Sequence, residues 1–187
     1  MTLTAQRRLE GVVFLALFTA CIPAANWIIQ NVGTTCVPNG PCLIPVAPGL
    51  MAPSAVLVVG LAFVLRDLVQ RRLGFHFAAI AVVVGAALSA LLAPPQLVIA
   101  SGVAFLISEL ADLAVYTPLQ KRRLVLAVVA SSVVGLIVDS AIFLQLAFGD
   151  LTYIWGQIVG KAWMVVLAIP FIIWLRARDE RLGLAPA

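Results

Sequence analysis

Four charged side chains lie within long apolar stretches of this sequence, and they are the residues most able to do chemistry. They are Glu109, Asp112, Asp139 and Lys161. A charge near the middle of a membrane-spanning helix costs about 3 kcal/mol on insertion scales. Such residues therefore persist mainly where they face a bundle interior or a polar cavity, paired with one another or with a ligand. The chemistry open to them is ion pairing, proton exchange and the binding of a polar ligand.

Depth along the helices predicts how these charges pair. At a rise of about 1.5 Å per residue, Asp139 and Lys161 each lie about 14 Å from the outer ends of two consecutive helices. We therefore predict a pair between them and a second pair between Arg66 and Asp112, each either structural or doubling as a ligand contact. Glu109, about 18 Å deep, has no basic partner in this interpretation. It is the first candidate for ligand binding, and a protonated acid bonded to Ser or Tyr is the alternative.

Spacing places these residues on narrow polar faces of the helices. On the fourth apolar stretch, a 4-3-4 spacing puts two aromatic and two acidic residues on one helical face. Because similar faces occur on the first, fifth and sixth stretches, we predict that they converge on one polar centre. The residues are Asn26, Trp27 and Gln30 on the first stretch, Phe105, Glu109, Asp112 and Tyr116 on the fourth, Ser132, Gly135, Asp139 and Phe143 on the fifth, and Tyr153, Gln157, Gly160, Lys161 and Met164 on the sixth.

Arg66 and Asp67 lie toward the predicted cytoplasmic end of the second apolar stretch, where further basic residues follow them. One interpretation is a structural or gating ion pair inside the bundle. The alternative is that both residues only mark the place where this helix leaves the membrane.

The composition indicates an integral membrane protein. The chain has 187 residues, of which 63% are hydrophobic and 11% charged, and its mean hydropathy is +1.12. A soluble domain carries about 25% charged residues. The pI of 9.4 does not indicate nucleic-acid binding, because the basic residues lie at helix ends and form no stripe with interleaved aromatics.

Six stretches have, or nearly have, the roughly 20 apolar residues that a spanning helix needs. They run at about 9–30, 50–68, 76–93, 97–118, 124–148 and 152–175. Because the connections are short, the sequence predicts a single domain over 1–187, an all-α membrane protein built as a bundle of six transmembrane helices.

Basic residues predict the orientation of this bundle. They flank the predicted helices at one face, whereas the loops of the opposite face, 31–49, 94–96 and 149–151, contain no Lys or Arg. Cytoplasmic loops carry an excess of Lys and Arg. Both termini are therefore predicted to lie in the cytoplasm.

The longest loop, 31–49, leaves two questions open. Its latter part, 43–49, is too apolar for an ordinary solvated loop, and its prolines and glycine exclude a regular helix. It is either a short re-entrant segment or an apolar cap on the outer face. The same loop holds Cys36 and Cys42, which can form a disulfide if the loop lies on the oxidising side. Free thiols are the equal alternative.

The sequence disfavours an enzyme. His76 is the sole histidine and has no metal-ligand spacing around it, so we predict no metal site and no cofactor. Asp112 and Asp139 could supply the facing aspartates of an acid-pair protease, but Lys161 at similar depth would prevent a shared proton. No G-x-x-x-x-G-K-[ST] phosphate-binding motif occurs, so any use of ATP would belong to another chain.

Four stretches form an ordered set of motifs along the chain. They are Leu61-Ala-Phe-Val-Leu-Arg-Asp-Leu-Val-Gln70, Ser108-Glu-Leu-Ala-Asp-Leu-Ala-Val-Tyr116, Val138-Asp-Ser-Ala-Ile-Phe143 and Gln157-Ile-Val-Gly-Lys161. Together they resemble the VUT family, whose members are regarded as transporters of queuosine precursors. The resemblance implies import of 7-deazaguanine bases, the 7-cyano and 7-aminomethyl precursors of a modified tRNA nucleoside, across a bacterial inner membrane.

The same resemblance implies which residues bind the base. A carboxylate can accept the two adjacent N–H donors of a guanine-like ring in charge-assisted hydrogen bonds. Aromatic side chains suit the flat faces of the ring, and Phe105, Tyr116, Phe143 and Trp27 are available for this. The residues carried over from the family are Asn26, Arg66, Asp67, Glu109, Asp112, Tyr116, Asp139, Gln157 and Lys161.

Two functions stay open at this point. The leading one is a transporter that works by alternating access, either coupled to protons or by facilitated diffusion. The alternative is a substrate-binding membrane subunit that depends on a separate ATP-driven partner. The predicted partners are the small base and the lipid bilayer, without nucleic acid, and a homodimer is left open.

Overall fold

The computed structural model describes residues 3–38 and 40–184, which form six α-helices and a short 3-10 turn. Among the described helices, all except α2 are long and apolar enough to cross a membrane, which makes this a multi-pass membrane protein. The count of six spans stays a prediction. The helices are α1 Leu3–Asn31, α2 Val56–Leu73, α3 Phe75–Leu92, α4 Val98–Leu119, α5 Leu124–Phe148 and α6 Ile154–Leu182, and the turn is Pro95–Leu97.

Helix α2 differs from its predicted range, 50–68, at both ends. It begins at Val56 and continues to Leu73, where Gly74 follows with a φ of 94°. The apolar residues at 50–53 form a strand instead, because a short apolar run fits either element and periodicity does not distinguish them. Arg71 and Arg72, predicted to lie at or beyond the helix end, are inside α2 and buried.

The long loop folds into a small antiparallel sheet, which the prediction of an all-α bundle did not include. Its strands are β1 Thr35–Cys36, β2 Cys42–Ala47 and β3 Leu50–Pro53, in the order β1-β2-β3. Of the two alternatives for the cysteines, the structure has the disulfide between Cys36 and Cys42.

Hydrogen bonds hold this sheet region against α6 and α1. The indole Nε1 of Trp163 on α6 donates to the Val46 carbonyl of β2 at 3.0 Å. The hydroxyl of Ser54 donates to the Ile28 carbonyl of α1 at 3.0 Å. The apolar segment 43–49 is therefore most of strand β2 and the turn after it, paired with β3 and packed on α1 and α6.

Helix α2 occupies the middle of the bundle. It packs against each of the other five helices, and its residues from 62 to 72 are all buried. The exposed faces of α1, α3 and α6 carry large apolar side chains, among them Leu17, Ile80 and Leu167. Charged residues on α2 therefore face protein on every side, which is the environment in which intramembrane charges are tolerated.

A glycine lets α2 approach α6 closely. A Cβ built on Gly60 would lie 2.8 Å from the Cα of Lys161, closer than side-chain atoms come in folded proteins. This contact brings the backbone of α2 against the turn of α6 that carries Lys161, and so fixes the position of that lysine in the bundle.

Candidate functional site

Two adjoining cavities lie between the helices on the side of the bundle that carries the sheet. The sheet-side cavity has about 590 Å³ of empty space and the central cavity about 400 Å³, both figures including space open to solvent. They share part of their lining, including Asn26, Ser89, Phe105 and Asp139. Ser101, Phe143, Gln157 and Lys161 line only the sheet-side cavity, and Cys21, Phe63, Ser108 and Glu109 line only the central cavity.

Lys161 forms the charged centre of the sheet-side cavity. Its Nζ donates to Asp139 Oδ2 at 2.6 Å and to Ser140 Oγ at 2.8 Å, and it also donates to Gln157 Oε1. An ammonium group has three hydrogens to donate, so Lys161 is fully satisfied although it is buried. The predicted pair with Asp139 is confirmed.

Of Lys161 and its three hydrogen-bond partners, Asp139 alone lines both cavities. Its side chain is 13% exposed, against 1% for Lys161. Oδ2 is committed to the lysine, whereas Oδ1 is contacted by the Ser108 hydroxyl at 3.4 Å. That oxygen is therefore the best-placed charged acceptor for a ligand in the cavity.

Arg66 is the centre of a second buried cluster. Its Nε donates to Glu109 Oε2 at 3.0 Å, its Nη2 donates to Asp112 Oδ1, and its Nη1 lies 2.9 Å from Asp67 Oδ1. The Arg66–Asp112 pair is confirmed. The prediction that Glu109 has no basic partner is wrong, because a guanidinium has five N–H donors and can serve several acids.

The reading of Arg66 and Asp67 as markers of the membrane boundary is also wrong. Both side chains are fully buried, and Asp67 Oδ2 accepts a hydrogen bond from Ser131 of α5 at 2.9 Å. The error follows from ending α2 too early, since the true helix continues seven residues beyond Arg66. Because Arg66 and Asp67 are buried in the middle of the bundle, they belong to an internal ion-pair cluster.

The remaining predicted residues divide between the cavities and the packing behind them. Asn26, Phe143 and Gln157 line the sheet-side cavity, as does Phe105. Asp112 and Tyr116, by contrast, are fully buried and line neither cavity. Trp27, offered as a stacking residue, is 60% exposed on the outside of α1.

Sequence reasoning missed Ser89, a lining residue on α3. The buried residues of this helix, from Ala78 through Val82 and Gly85 to Ser89, repeat every three or four positions. That spacing marks one helical face. The one indication in the sequence that α3 contributes to the cavities was this serine, which lies at the end of an otherwise apolar face of small residues.

A third charged network lies at the opposite end of the bundle, which we call the arginine end. Asp179 of α6 accepts from Arg71 Nη2 and from Arg72 Nη2, both at 2.8 Å. Glu10 of α1 accepts from Arg178 at 2.6 Å. These contacts tie α1, α2 and α6 together and place the start of α1 and the end of α6 on the same side. No partner for Glu10 or Asp179 was predicted from the sequence.

Comparison with known proteins adds one finding. Residues 90–175 match the family model described as "putative vitamin uptake transporter", the VUT family. Over these residues the chain is similar to the VUT family. The match covers slightly less than half of the chain, and no curated protein and no solved structure matches it.

The VUT match includes α4, α5 and most of α6. These helices carry Glu109, Asp139, Gln157 and Lys161, which line the two cavities. The family description is that of an uptake transporter, and apolar helices around an internal polar cavity are compatible with that role.

Proposed function

We propose that this protein is a member of the VUT family and imports 7-deazaguanine bases, such as 7-cyano-7-deazaguanine and 7-aminomethyl-7-deazaguanine, across a bacterial inner membrane. The observation that carries the proposal is the sheet-side cavity. It combines the Oδ1 of Asp139, the amides of Asn26 and Gln157, and the rings of Phe105 and Phe143. One available carboxylate oxygen between apolar walls suits a flat base with polar edges.

The chemistry of the base fits these groups. A guanine-like ring carries an N–H and an exocyclic amine that donate side by side, and a carboxylate is their strongest acceptor. Asp139 can accept through Oδ1 while Lys161 neutralises its charge through Oδ2. The rings of Phe105 and Phe143 supply apolar contact for the faces of the base. Because the ligand has no phosphate, the cavity needs no arginine cluster.

Access to this cavity alternates between the two faces of the membrane in the proposed cycle. Here it adjoins the sheet, where Pro53 and Leu97 form part of its rim. Between the cavity and the arginine end, the space between the helices is filled by the Arg66 cluster. Beyond that cluster lies the network of Arg71, Arg72 and Asp179. In the proposed cycle this arrangement is the state that opens toward the sheet, and release then requires these ion pairs to part.

The test uses a pair of asparagines that differ in one respect. Asn26 and Asn31 both donate their side-chain amide to the carbonyl four residues earlier on α1, at 3.0 and 2.8 Å. Only Asn26 lines the cavities. Asn26→Ala should weaken binding of a 7-deazaguanine about tenfold, as the loss of one hydrogen bond of ~1.5 kcal/mol requires, while Asn31→Ala should bind as the natural protein does.

Binding is measured by the ligand-induced rise in melting temperature across a panel of purines and deazapurines. Transport is measured by uptake of a radiolabelled 7-deazaguanine into proteoliposomes that contain this chain alone. Uptake without any other protein eliminates the alternative, a binding subunit that requires an ATP-driven partner. A panel in which no deazapurine stabilises the protein would contradict the proposed substrate.

A further inference from the structure

The Arg66 cluster contains more negative than positive charge. One guanidinium faces three carboxylic acids, Asp67, Glu109 and Asp112, and each of the four side chains is at most 2% exposed. If all three acids were ionised, the cluster would hold two uncompensated negative charges inside a helix bundle. The desolvation cost of a buried charge is several kcal/mol for each ion that lacks a partner, so the cluster requires a further positive charge.

No described side chain around the cluster supplies that charge. On α2, Arg71 is committed to Asp179, and on α6, Lys161 is committed to Asp139. From α5 the cluster meets Ser131, and the central cavity that Glu109 lines is also lined by the acid Asp139 of α5 and the thiol of Cys21 of α1. Nor is any group of three His, Cys, Asp or Glu among the described residues arranged to hold a metal ion.

The two aspartates are placed to share a proton. Asp67 and Asp112 bind the two terminal nitrogens of the same guanidinium, that of Arg66, which brings their carboxylates next to each other, and the Ser131 hydroxyl donates to Asp67 Oδ2. Asp112 Oδ2 has no hydrogen-bond partner among the described residues. Two carboxylates in contact cannot both be ionised without strong repulsion, and a proton held between them removes it.

A buried hydroxyl gives independent support. Tyr116 is fully buried, and its hydroxyl has no hydrogen-bond partner among the described side chains and backbone. Its ring centroid lies 5.8 Å from the Arg66 guanidinium carbon, which places the phenol beside the Arg66 cluster. A phenol in this position has a hydrogen to donate to a carboxylate and a lone pair to accept one, which suits it to a site where a proton arrives and leaves.

We propose that Asp67 and Asp112 hold one exchangeable proton between them, and that this proton is the coupling ion of the transporter. Glu109 connects the site to the outside, because it lines the central cavity and also bonds Arg66. Binding the proton forms an O–H bond on one aspartate and leaves the other aspartate and Glu109 ionised against Arg66, so that one uncompensated negative charge remains in place of two. The bound proton follows from the charges of the cluster alone, whereas its role in coupling rests on the proposed function.

The site also joins the elements that must move. Arg66 and Asp67 lie on α2, Asp112 on α4, and Ser131 on α5. Losing the proton restores two uncompensated charges and weakens the attraction that holds these helices together. Protonation therefore stabilises the packed arrangement seen here, and proton release favours its opening.

The first experiment detects the proton without any substrate. The purified full-length protein is examined by infrared spectroscopy at neutral pH, in H2O and D2O, for the C=O stretch of a protonated carboxylic acid. We expect this band in the natural protein and its loss in both Asp67→Asn and Asp112→Asn, whose side chains keep the shape of the protonated acid. Asp150→Asn, at an exposed loop acid, is the matched control and should keep the band.

Melting temperatures of the variants show that each is folded when its spectrum is recorded. Absence of the band in the folded natural protein would overturn the proposal. So would a band that persists unchanged in both aspartate variants, because the proton would then lie elsewhere. If one variant fails to fold, the other decides the result.

The second experiment tests coupling in proteoliposomes. For one proton per base, an imposed difference of one pH unit can sustain about a tenfold accumulation, since each unit corresponds to about 1.36 kcal/mol. The natural protein should approach that ratio, and Asp112→Asn should accumulate no base above equilibrium while still binding it in the melting assay. Uptake that ignores the gradient in the natural protein would overturn the coupling role. Failure of the proposed substrate would instead show as absent binding and would leave the infrared band in place.

Discussion

Lys161 donates all three of its ammonium hydrogens, to Asp139, Ser140 and Gln157. Removing it by Lys161→Ala leaves Asp139 as a partly buried charge without its partner, which should lower stability by about 3 kcal/mol. Adding Asp139→Asn removes the stranded charge, so the double variant should be more stable than the sum of the two single effects predicts. Melting curves of the four proteins of this cycle provide the measurement.

The interaction energy from that cycle decides the role of the pair. Contacting residues show couplings of about 0.5–3 kcal/mol, and we expect the upper part of that range because the lysine is 1% exposed. Strictly additive losses would show that the two groups do not stabilise each other. Transport by the double variant should stay impaired, because Asp139 has lost its charge at the cavity wall.

Glu109 acts at the boundary between the central cavity and the Arg66 cluster. Glu109→Gln keeps the size of the side chain and leaves Arg66 with Asp67 and Asp112 as its acidic partners. We therefore expect normal membrane expression together with loss of 7-deazaguanine uptake, measured with a radiolabelled base. Glu180→Gln, at an exposed acid paired with Arg176, should transport normally. Near-normal uptake by Glu109→Gln would remove this residue from the mechanism.

At the scale of elements, the packing of α2 against α6 positions the cavity. Gly60→Ala places a methyl group against the backbone of Lys161, and neither helix backbone can yield cheaply. Overpacking of this kind costs about 1–3 kcal/mol, and here it should also displace Lys161 from Asp139, so we expect both a lower melting temperature and weaker uptake. Gly102→Ala, whose new Cβ would lie 3.1 Å from the Cβ of Ala90, is the comparison and should have the smaller effect on uptake.

The sheet is the second element that positions the cavity. Its strand β3 ends at Pro53, which lines the sheet-side cavity, and the disulfide closes the adjoining turn. The prolines and the glycine at 43–49 correctly excluded a helix, but the sequence could not separate a re-entrant segment from a cap. Hydrogen bonds from Trp163 and Ser54 to residues far away in the chain hold this region against α6 and α1, and the sequence does not reveal them.

At the scale of the whole molecule, the arrangement of the termini predicts the orientation of the protein in the membrane. The start of α1 and the end of α6 lie on one side because Glu10 bonds Arg178, and the basic residues there predict that this side is cytoplasmic. A cysteine at Asp150 should therefore react with a membrane-impermeant maleimide in intact cells, whereas a cysteine at Lys121 should react only after permeabilisation. The natural thiol of Cys21 is buried and serves as the background. The reverse labelling pattern would invert the topology.

The sequence by itself determined the class of the protein, most helix positions and the Lys161–Asp139 pair. Apolar composition admits only a membrane as solvent, and the pair follows from counting residues along two consecutive regular helices. The tertiary structure alone decided that Arg66 serves three acids, because helical periodicity sets the depth of a residue but not which neighbours surround its helix. Only the central place of α2 among five helices turned Arg66 and Asp67 from apparent boundary residues into a buried charge centre.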